Sequence, residues 1–318
     1  MTIHVVRRNV QPHHWVGLFA LILLAAAALI WSTRGAGYPN PADNSISTPG
    51  LAARSAAERE EAGARFSLIC LDRLSRGKLH EALEYCDQAL ALDTNNLTAL
   101  NLRGNALMLA GHPKAAIADF SRAIQLAPTD PSAYRFRANV AFALHRDADA
   151  LADYTRAIAA DPTSAASYEI RGQFFQMTGR HEIAIGDFDR AIALDPKMAR
   201  AWNSRCWTKV LMNADAGAAL ADCDRALALD PRVANFHDSR GYALVRLAKW
   251  RDATAAFDRA LALDPRLASS LFGRGLCKLR TGVRTAQADL ARARSIEPGI
   301  EARFRGYGFR LKAGPAAS

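Results

Sequence analysis

Residues 184–196 read AIGDFDRAIALDP, and close copies of that phrase return along the chain. They are AIADFSRAIQLAP at 116–128, ALADYTRAIAADP at 150–162, ALADCDRALALDP at 219–231 and ATAAFDRALALDP at 253–265. The closing prolines, Pro128, Pro162, Pro196, Pro231 and Pro265, with Pro298 beyond them, recur every 33 to 35 residues. Thr94 takes the same place one interval earlier, and aspartate precedes four of the prolines. Proline cannot continue a helix, because it lacks the N–H and crowds the preceding turn, but its fixed φ suits the start of the next one. A repeat of this length is one supersecondary unit that buries its apolar face only by stacking on its neighbours.

Working outward from each phrase, a second helical stretch precedes it, with an Arg-Gly pair three residues after a large side chain: Tyr168 before Arg171-Gly172, Leu271 before Arg274-Gly275. Short turns such as Ala110-Gly111-His112 and Thr178-Gly179-Arg180 join the two stretches. Small residues stand where helices must come close: Gly104, Ala138, Gly172, Gly241 and Gly275 on the first helix, Ala116, Ala150, Ala184, Ala219 and Ala253 on the second. Aromatic residues follow on the second helix at Phe120, Tyr154, Phe188 and Phe257. The turn near Asp215-Ala216-Gly217 gains one residue and that near Gly282-Val283 loses one, changes that turns tolerate.

On these residues the sequence resembles the tetratricopeptide repeat family over roughly 63–298. The resemblance implies an all-α fold: a right-handed α-solenoid of about seven helix-turn-helix repeats with a C-terminal capping helix. The repeat array is expected over 54–298, in units of about 63–96, 97–130, 131–164, 165–198, 199–233, 234–267 and 268–298. The outermost units match less well, as capping repeats do. Residues 299–318 hold the capping helix and tail; Ile300, Phe304 and Tyr307 are placed to cover the last unit, while Gly306 and Gly308 weaken the helix.

Half of the 318 residues are apolar, alanine and leucine dominate, and β-branched residues are sparse, a mixture that favours helices over sheets. The net charge of +10 invites a nucleic-acid reading. Signs alternate along the body, however, whereas nucleic-acid readers gather Lys and Arg on one face. Nucleic acid is therefore not an expected partner.

Ahead of the repeats, residues 15–31 read WVGLFALILLAAAALIW without a charge. This run is at the short end of a bilayer span, and tryptophan at each end suits the membrane interface. Arg7 and Arg8 before it outweigh Arg34 after it, so residues 1–14 are expected in the cytoplasm and the repeats across the membrane. Arginine far outnumbers lysine and alanine abounds, as in GC-rich bacterial genomes. The expectation is a single-pass protein of a bacterial inner membrane, with its repeats in the periplasm. The alternative is a cleaved signal segment, with Gly35-Ala36-Gly37 as the cleavage region and a secreted periplasmic product. Residues 32–53, rich in Gly, Pro, Ser and Asn, read as a flexible linker.

Comparing the repeats with one another exposes two pairings. The seventh position of the first helix is Arg103, Arg137, Arg171, Arg205, Arg240 and Arg274; about sixteen residues later stand Asp119, Asp153, Asp187, Asp222, Ala256 and Asp289. Five intra-repeat ion pairs are expected, Arg103–Asp119, Arg137–Asp153, Arg171–Asp187, Arg205–Asp222 and Arg274–Asp289. Arg240 is left to Asp252 or Asp258. Arginines so paired are not free to recruit an anionic ligand. The second pairing is Cys70 with Cys86 and Cys206 with Cys223. Each pair occupies the close-approach site and the aromatic site of one unit, so two disulfides are expected in an oxidising compartment. The competing reading is cysteine packing as a small apolar residue.

No motif for catalysis is present: no GxSxG, Walker loop, HExxH or GxGxxG. Histidines His80, His112, His145 and His181 fall near turns one repeat apart, too far to share a metal. No catalysis and no cofactor are expected. The resemblance implies instead a concave groove lined by first helices. At groove positions stand Asn101, Asn105, Arg135, Phe136, Asn139, Gln173, Asn203, Trp207 and Tyr242. Asparagine can donate to and accept from a peptide backbone, and Trp207 and Tyr242 offer anchoring surface. The ordinary alternative is a hydrophilic helix face. The expected role is a membrane-tethered adaptor or scaffold for a protein or peptide. Its rivals are a self-associating envelope component and a regulatory subunit of an enzyme on another chain.

Overall fold

The structure, a computed structural model, describes residues 55–311. The segments 1–14, 15–31 and 32–53, and the tail beyond residue 311, lie outside the described residues. Among the described residues there are fifteen α-helices and no strand, and no helix is long and apolar enough to cross a membrane. The chain divides into two compact units between Pro162 and Thr163.

The first unit is three helical hairpins: α1 (Ala56–Ser75) with α2 (Leu79–Leu92), α3 (Leu97–Leu109) with α4 (Pro113–Leu126), and α5 (Pro131–Ala143) with α6 (Asp147–Ala160). The second is four hairpins: α7 (Ala165–Met177) with α8 (His181–Leu194), α9 (Ala199–Met212) with α10 (Ala216–Leu229), α11 (Ala234–Arg246) with α12 (Trp250–Leu263), and α13 (Ala268–Arg280) with α14 (Ala286–Ile296). A short α15 (Ile300–Gly306) follows. Within each unit the first helix of a hairpin touches the first helix of the next, so the first helices form a row.

Local chemistry sets the helix ends. Ser55 and Glu58 form a capping box that starts α1 ahead of residue 63: the Glu58 N–H donates to the Ser55 hydroxyl, and Glu58 accepts from the Ser55 N–H at 2.7 Å. The aspartates ending the repeated phrase turn the chain. Asp195, Asp230 and Asp264 each accept from the N–H two residues on, at 2.9, 3.0 and 2.9 Å, an arrangement that competes with further helix. Asp93 does the same for Asn95 at 2.8 Å, which explains how a hairpin can end where threonine replaces the proline.

Packing follows from size complementarity inside each hairpin. A Cβ added to Gly104 or Gly172 would stand 2.6 Å from the ring of Phe120 or Phe188, so the glycines let a whole aromatic ring fit between helices. Both rings are fully buried, each contributing about 1.5–3 kcal/mol. Ala116 and Ala150 in the first unit, and Ala184, Ala219 and Ala253 in the second, are likewise fully buried. The extra residue near 215 is absorbed by Asn213, at φ 52, and by Asp215, which caps α10 through the Ala218 N–H at 2.9 Å. The capping helix stops at Gly306, and Gly308, at φ 83, turns the chain back.

Candidate functional site

The first-helix row of each unit carries the candidate partner-binding residues. Asn101 on α3 and Asn203 on α9 are half-buried, and each has a side-chain oxygen shielded from solvent without a hydrogen-bond partner. Arg135 on α5 donates to Ser132 at 3.2 Å, and Phe136 leans on Phe120 with ring centroids 5.6 Å apart. Gln173 on α7 donates to Glu169. Trp207 on α9 is half-buried.

Three residues expected in an open groove are covered. Asn105 and Asn139, at the ninth position of α3 and α5, are buried because that position lies where neighbouring first helices converge. Asn139 accepts from the Tyr154 hydroxyl at 2.6 Å, and its Nδ2 has no partner. Tyr242 is completely buried, its ring stacked 4.7 Å from Phe304 of α15. Burial holds its hydroxyl proton far above the usual range, and that hydroxyl donates to the Ser269 carbonyl at 2.6 Å.

Behind the row runs a charge lattice. In Arg103–Asp119, Arg137–Asp153, Arg171–Asp187, Arg205–Asp222 and Arg274–Asp289, Nε and Nη2 each meet one carboxylate oxygen, at 2.5 to 2.9 Å. Such two-pronged contacts fix both direction and distance. These carboxylate bonds, opposed by burial, raise the arginines above their ordinary value. The lattice has a second arm that the sequence reading missed. Nη1 of Arg103, Arg205 and Arg274 reaches back to Asp87, Asp189 and Asp258 of the preceding hairpin, and that of Arg137 reaches Ser121. Counting sixteen residues backwards as well as forwards would have found these partners. Arg240 corrects the reading: its partner is neither Asp252 nor Asp258 but Asp224, at 2.6 Å, because Ala256 leaves it only the backward arm.

Cys70–Cys86 and Cys206–Cys223 are disulfides, with Cα atoms 5.5 and 5.4 Å apart; Cys277 is a buried free thiol. Each bridge stands where three other hairpins set a glycine against a ring: Gly104 and Phe120, Gly172 and Phe188, Gly241 and Phe257. Among the described residues no three His, Cys, Asp or Glu side chains are placed to hold a metal ion.

Asp238 on α11 was also missed, although it shares the fifth position with Asn101, Arg135 and Asn203. It is buried and accepts from the Ser270 hydroxyl at 2.5 Å. Burial pushes its carboxyl up to about 6, against smaller opposing effects of Ser270, Ser269 and Arg303. Gln176, another first-helix residue, donates to the Ser204 carbonyl at 3.1 Å and the Thr208 hydroxyl at 2.5 Å, tying α7 to α9.

The fold is similar to that of solved helical repeat proteins. A tetratricopeptide repeat protein from Parabacteroides merdae matches 78% of this chain and 98% of its own, at 18% identity and TM-score 0.57. The structure of the APC/C hetero-tetramer Cut9–Hcn1 matches 91% of this chain and 49% of its own, at 17% identity and TM-score 0.59. At such identities the likeness concerns the fold alone. No curated protein matches. The family model described as Tetratricopeptide repeat matches residues 71–131, 104–165, 136–199 and 239–295. With more than half of its length so matched, and with hairpins of the same period in both units, the chain belongs to the tetratricopeptide repeat family.

Proposed function

We propose that this protein is a membrane-tethered adaptor, without catalysis of its own, that holds an extended segment of a partner protein on its first-helix rows. The family's fold suits protein–protein interaction, and one observation carries the reading here. Asn101 and Asn203, half-buried on first helices, each hold a side-chain oxygen with no partner. Buried polar atoms are nearly always satisfied. Left over on half-buried first-helix side chains, these oxygens suit the N–H groups of a peptide backbone. The charged groups behind them are absorbed by the Arg–Asp lattice, so recognition rests on amides and rings rather than on net charge.

Tethering rests on the uncharged run at 15–31 and the arginines before it. Carbonate extraction of membranes, followed by protease digestion from the outer face, tests it. Retention in the pellet with repeats accessible from the periplasmic side is expected. Release by carbonate, or protected repeats, overturns the placement. For the binding role, affinity capture with the full chain is compared with Asn101→Ala and Asn203→Ala, each beside a light-scattering mass. Loss of a captured protein at unchanged mass supports the adaptor. Unchanged capture by both variants overturns the asparagine assignment, and a fall in mass favours a self-associating envelope component.

A further inference from the structure

The end of the described chain does more than cover the last hairpin. A simple cap would touch α13 and α14. Residues 300–311 reach two hairpins further back along the first-helix row of the second unit. Phe304 stacks on Tyr242 of α11 at 4.7 Å and on Phe272 of α13 at 4.9 Å. Phe309 lies 4.9 Å from Tyr242, and Tyr307 meets Trp207 of α9 edge-on at 6.0 Å. Trp207 and Tyr242 are ninth residues of their helices, Phe272 is a fifth residue, and Arg246 of α11 is a thirteenth. The fifth and ninth positions are those that the family resemblance assigns to the groove.

Arg246 holds the segment in place. It donates from Nη2 to the Tyr307 carbonyl at 2.5 Å and from Nε to the Val210 carbonyl at 3.1 Å, and its guanidinium lies 4.1 Å over the Phe309 ring. The lattice arginines end on carboxylates, whereas Arg246 grips a backbone carbonyl and an aromatic face, which is how a side chain holds a peptide. The segment itself is seated like a short ligand: Gly308 turns it at φ 83, and the Phe309 N–H donates to the Phe304 carbonyl at 2.9 Å.

We propose that residues 300–311 are a resident intramolecular ligand of this row. The site beneath them, built from Trp207, Tyr242, Arg246 and Phe272, accepts in trans an aromatic peptide of the pattern Phe-x-x-Tyr-x-Phe once the segment lifts. The inference rests on the reading that first-helix rows bind peptides and adds both a sequence class and a gate. Its probe is the segment itself, so it does not depend on finding the natural partner.

A fluorescent peptide of residues 299–311 is titrated into the full chain and into the Tyr307→Ser/Phe309→Ser variant, with far-UV circular dichroism to check folding. The variant is expected to bind at least about ten-fold more tightly than the unaltered chain, because the occupied fraction of the site no longer competes. Adding Trp207→Ala to the variant is expected to weaken binding again. Equal binding to both chains, or none to a folded variant, overturns the proposal. Hydrogen exchange on the unaltered chain decides the case if the variant does not fold. Amides of 304–309 are expected to exchange about ten-fold or more faster than those in the middle of α13, since a gate opens on its own. Matching rates mark a fixed structural cap and overturn it. Failure here with partner capture intact removes the gate alone; the reverse removes the asparagine reading.

Discussion

Arg274 and Asp289 face each other across the last hairpin, with Nε and Nη2 of the arginine 2.8 and 2.6 Å from the two carboxylate oxygens. The carboxylate is buried, and Lys278 adds a third contact at 2.8 Å. Burial alone would raise its affinity for protons, but Arg274 and Lys278 together outweigh burial and hold the carboxyl below its ordinary value. With a depressed folded value, stability from the pair is present above about pH 4 and is lost as pH falls below that. Arg274→Ala is expected to cost about 1–3 kcal/mol in urea unfolding at neutral pH, because it leaves a buried carboxylate with Lys278 as its remaining cation. Asp289→Asn in the same background should restore part of the loss. A cost below about 0.5 kcal/mol would place the pair with ordinary surface ion pairs.

How far such relationships are legible in sequence depends on whether they repeat. The hairpins, their prolines, the five forward Arg–Asp contacts and both cysteine pairs stand at positions that recur in phase, so internal comparison exposes them. Arg240–Asp224 is hidden in the sequence because one irregular residue, Ala256, breaks the forward pattern and leaves only the backward arm. The ninth-position register of Tyr242 is visible in the sequence and points to an open groove, whereas its cover comes from Phe304 and Phe309 outside the repeat. Contacts made by a non-repeating segment have no second copy with which to compare them. The same holds for the pairing of Asp238 with Ser270: aspartate at the fifth position facing serine at the third position of the next first helix occurs in no other hairpin.

Asp238 gives the opposite pH dependence to Asp289. Its folded carboxyl is raised to about 6 by burial, from an ordinary 3.8. The contribution to stability is therefore full below about pH 4 and is lost as pH rises through about 6. By linkage the loss amounts to about 2–3 kcal/mol. Asp238→Asn, which stays uncharged, is expected to flatten the difference between urea midpoints at pH 5 and pH 7.5, read from tryptophan fluorescence. Trp202, Trp207 and Trp250 all report on the second unit. An unaltered difference in the variant would show that Asp238 is not its source.

Thiol counting under denaturing, non-reducing conditions should return one thiol, Cys277, and five would dismiss both bridges. In the native chain Cys277 should react slowly, since burial pushes its thiol up to about 12 and leaves little thiolate. Each bridge closes a loop of sixteen or seventeen residues, so reduction should cost about 3 kcal/mol per bridge in the chain-entropy account. The next hairpin supplies a sharper test. Gly241 and Phe257 hold there the two positions that Cys206 and Cys223 hold here. Cys206→Gly/Cys223→Phe should therefore lose less stability than Cys206→Ser/Cys223→Ser, because the ring refills the space of the sulfurs. Equal losses would mean that the glycine–aromatic pair is not interchangeable with the bridge.

Ala248 offers a stabilising change. It ends the turn after α11 at φ 56, in the left-handed region where a Cβ crowds the following carbonyl. Corresponding turns elsewhere use Gly77, Gly111, Gly179 and Gly282, at φ 70 to 82. Ala248→Gly relieves about 1–2 kcal/mol of backbone strain in the folded state and adds about 0.4–1 kcal/mol of unfolded-chain entropy to be overcome. The net expectation is a gain of up to about 1.5 kcal/mol, read as a higher urea midpoint with an unchanged slope. The slope matters, because a change in it would locate the effect in the unfolded chain rather than in the turn. A lower midpoint would show that contacts of the Ala248 methyl group outweigh the strain of its backbone.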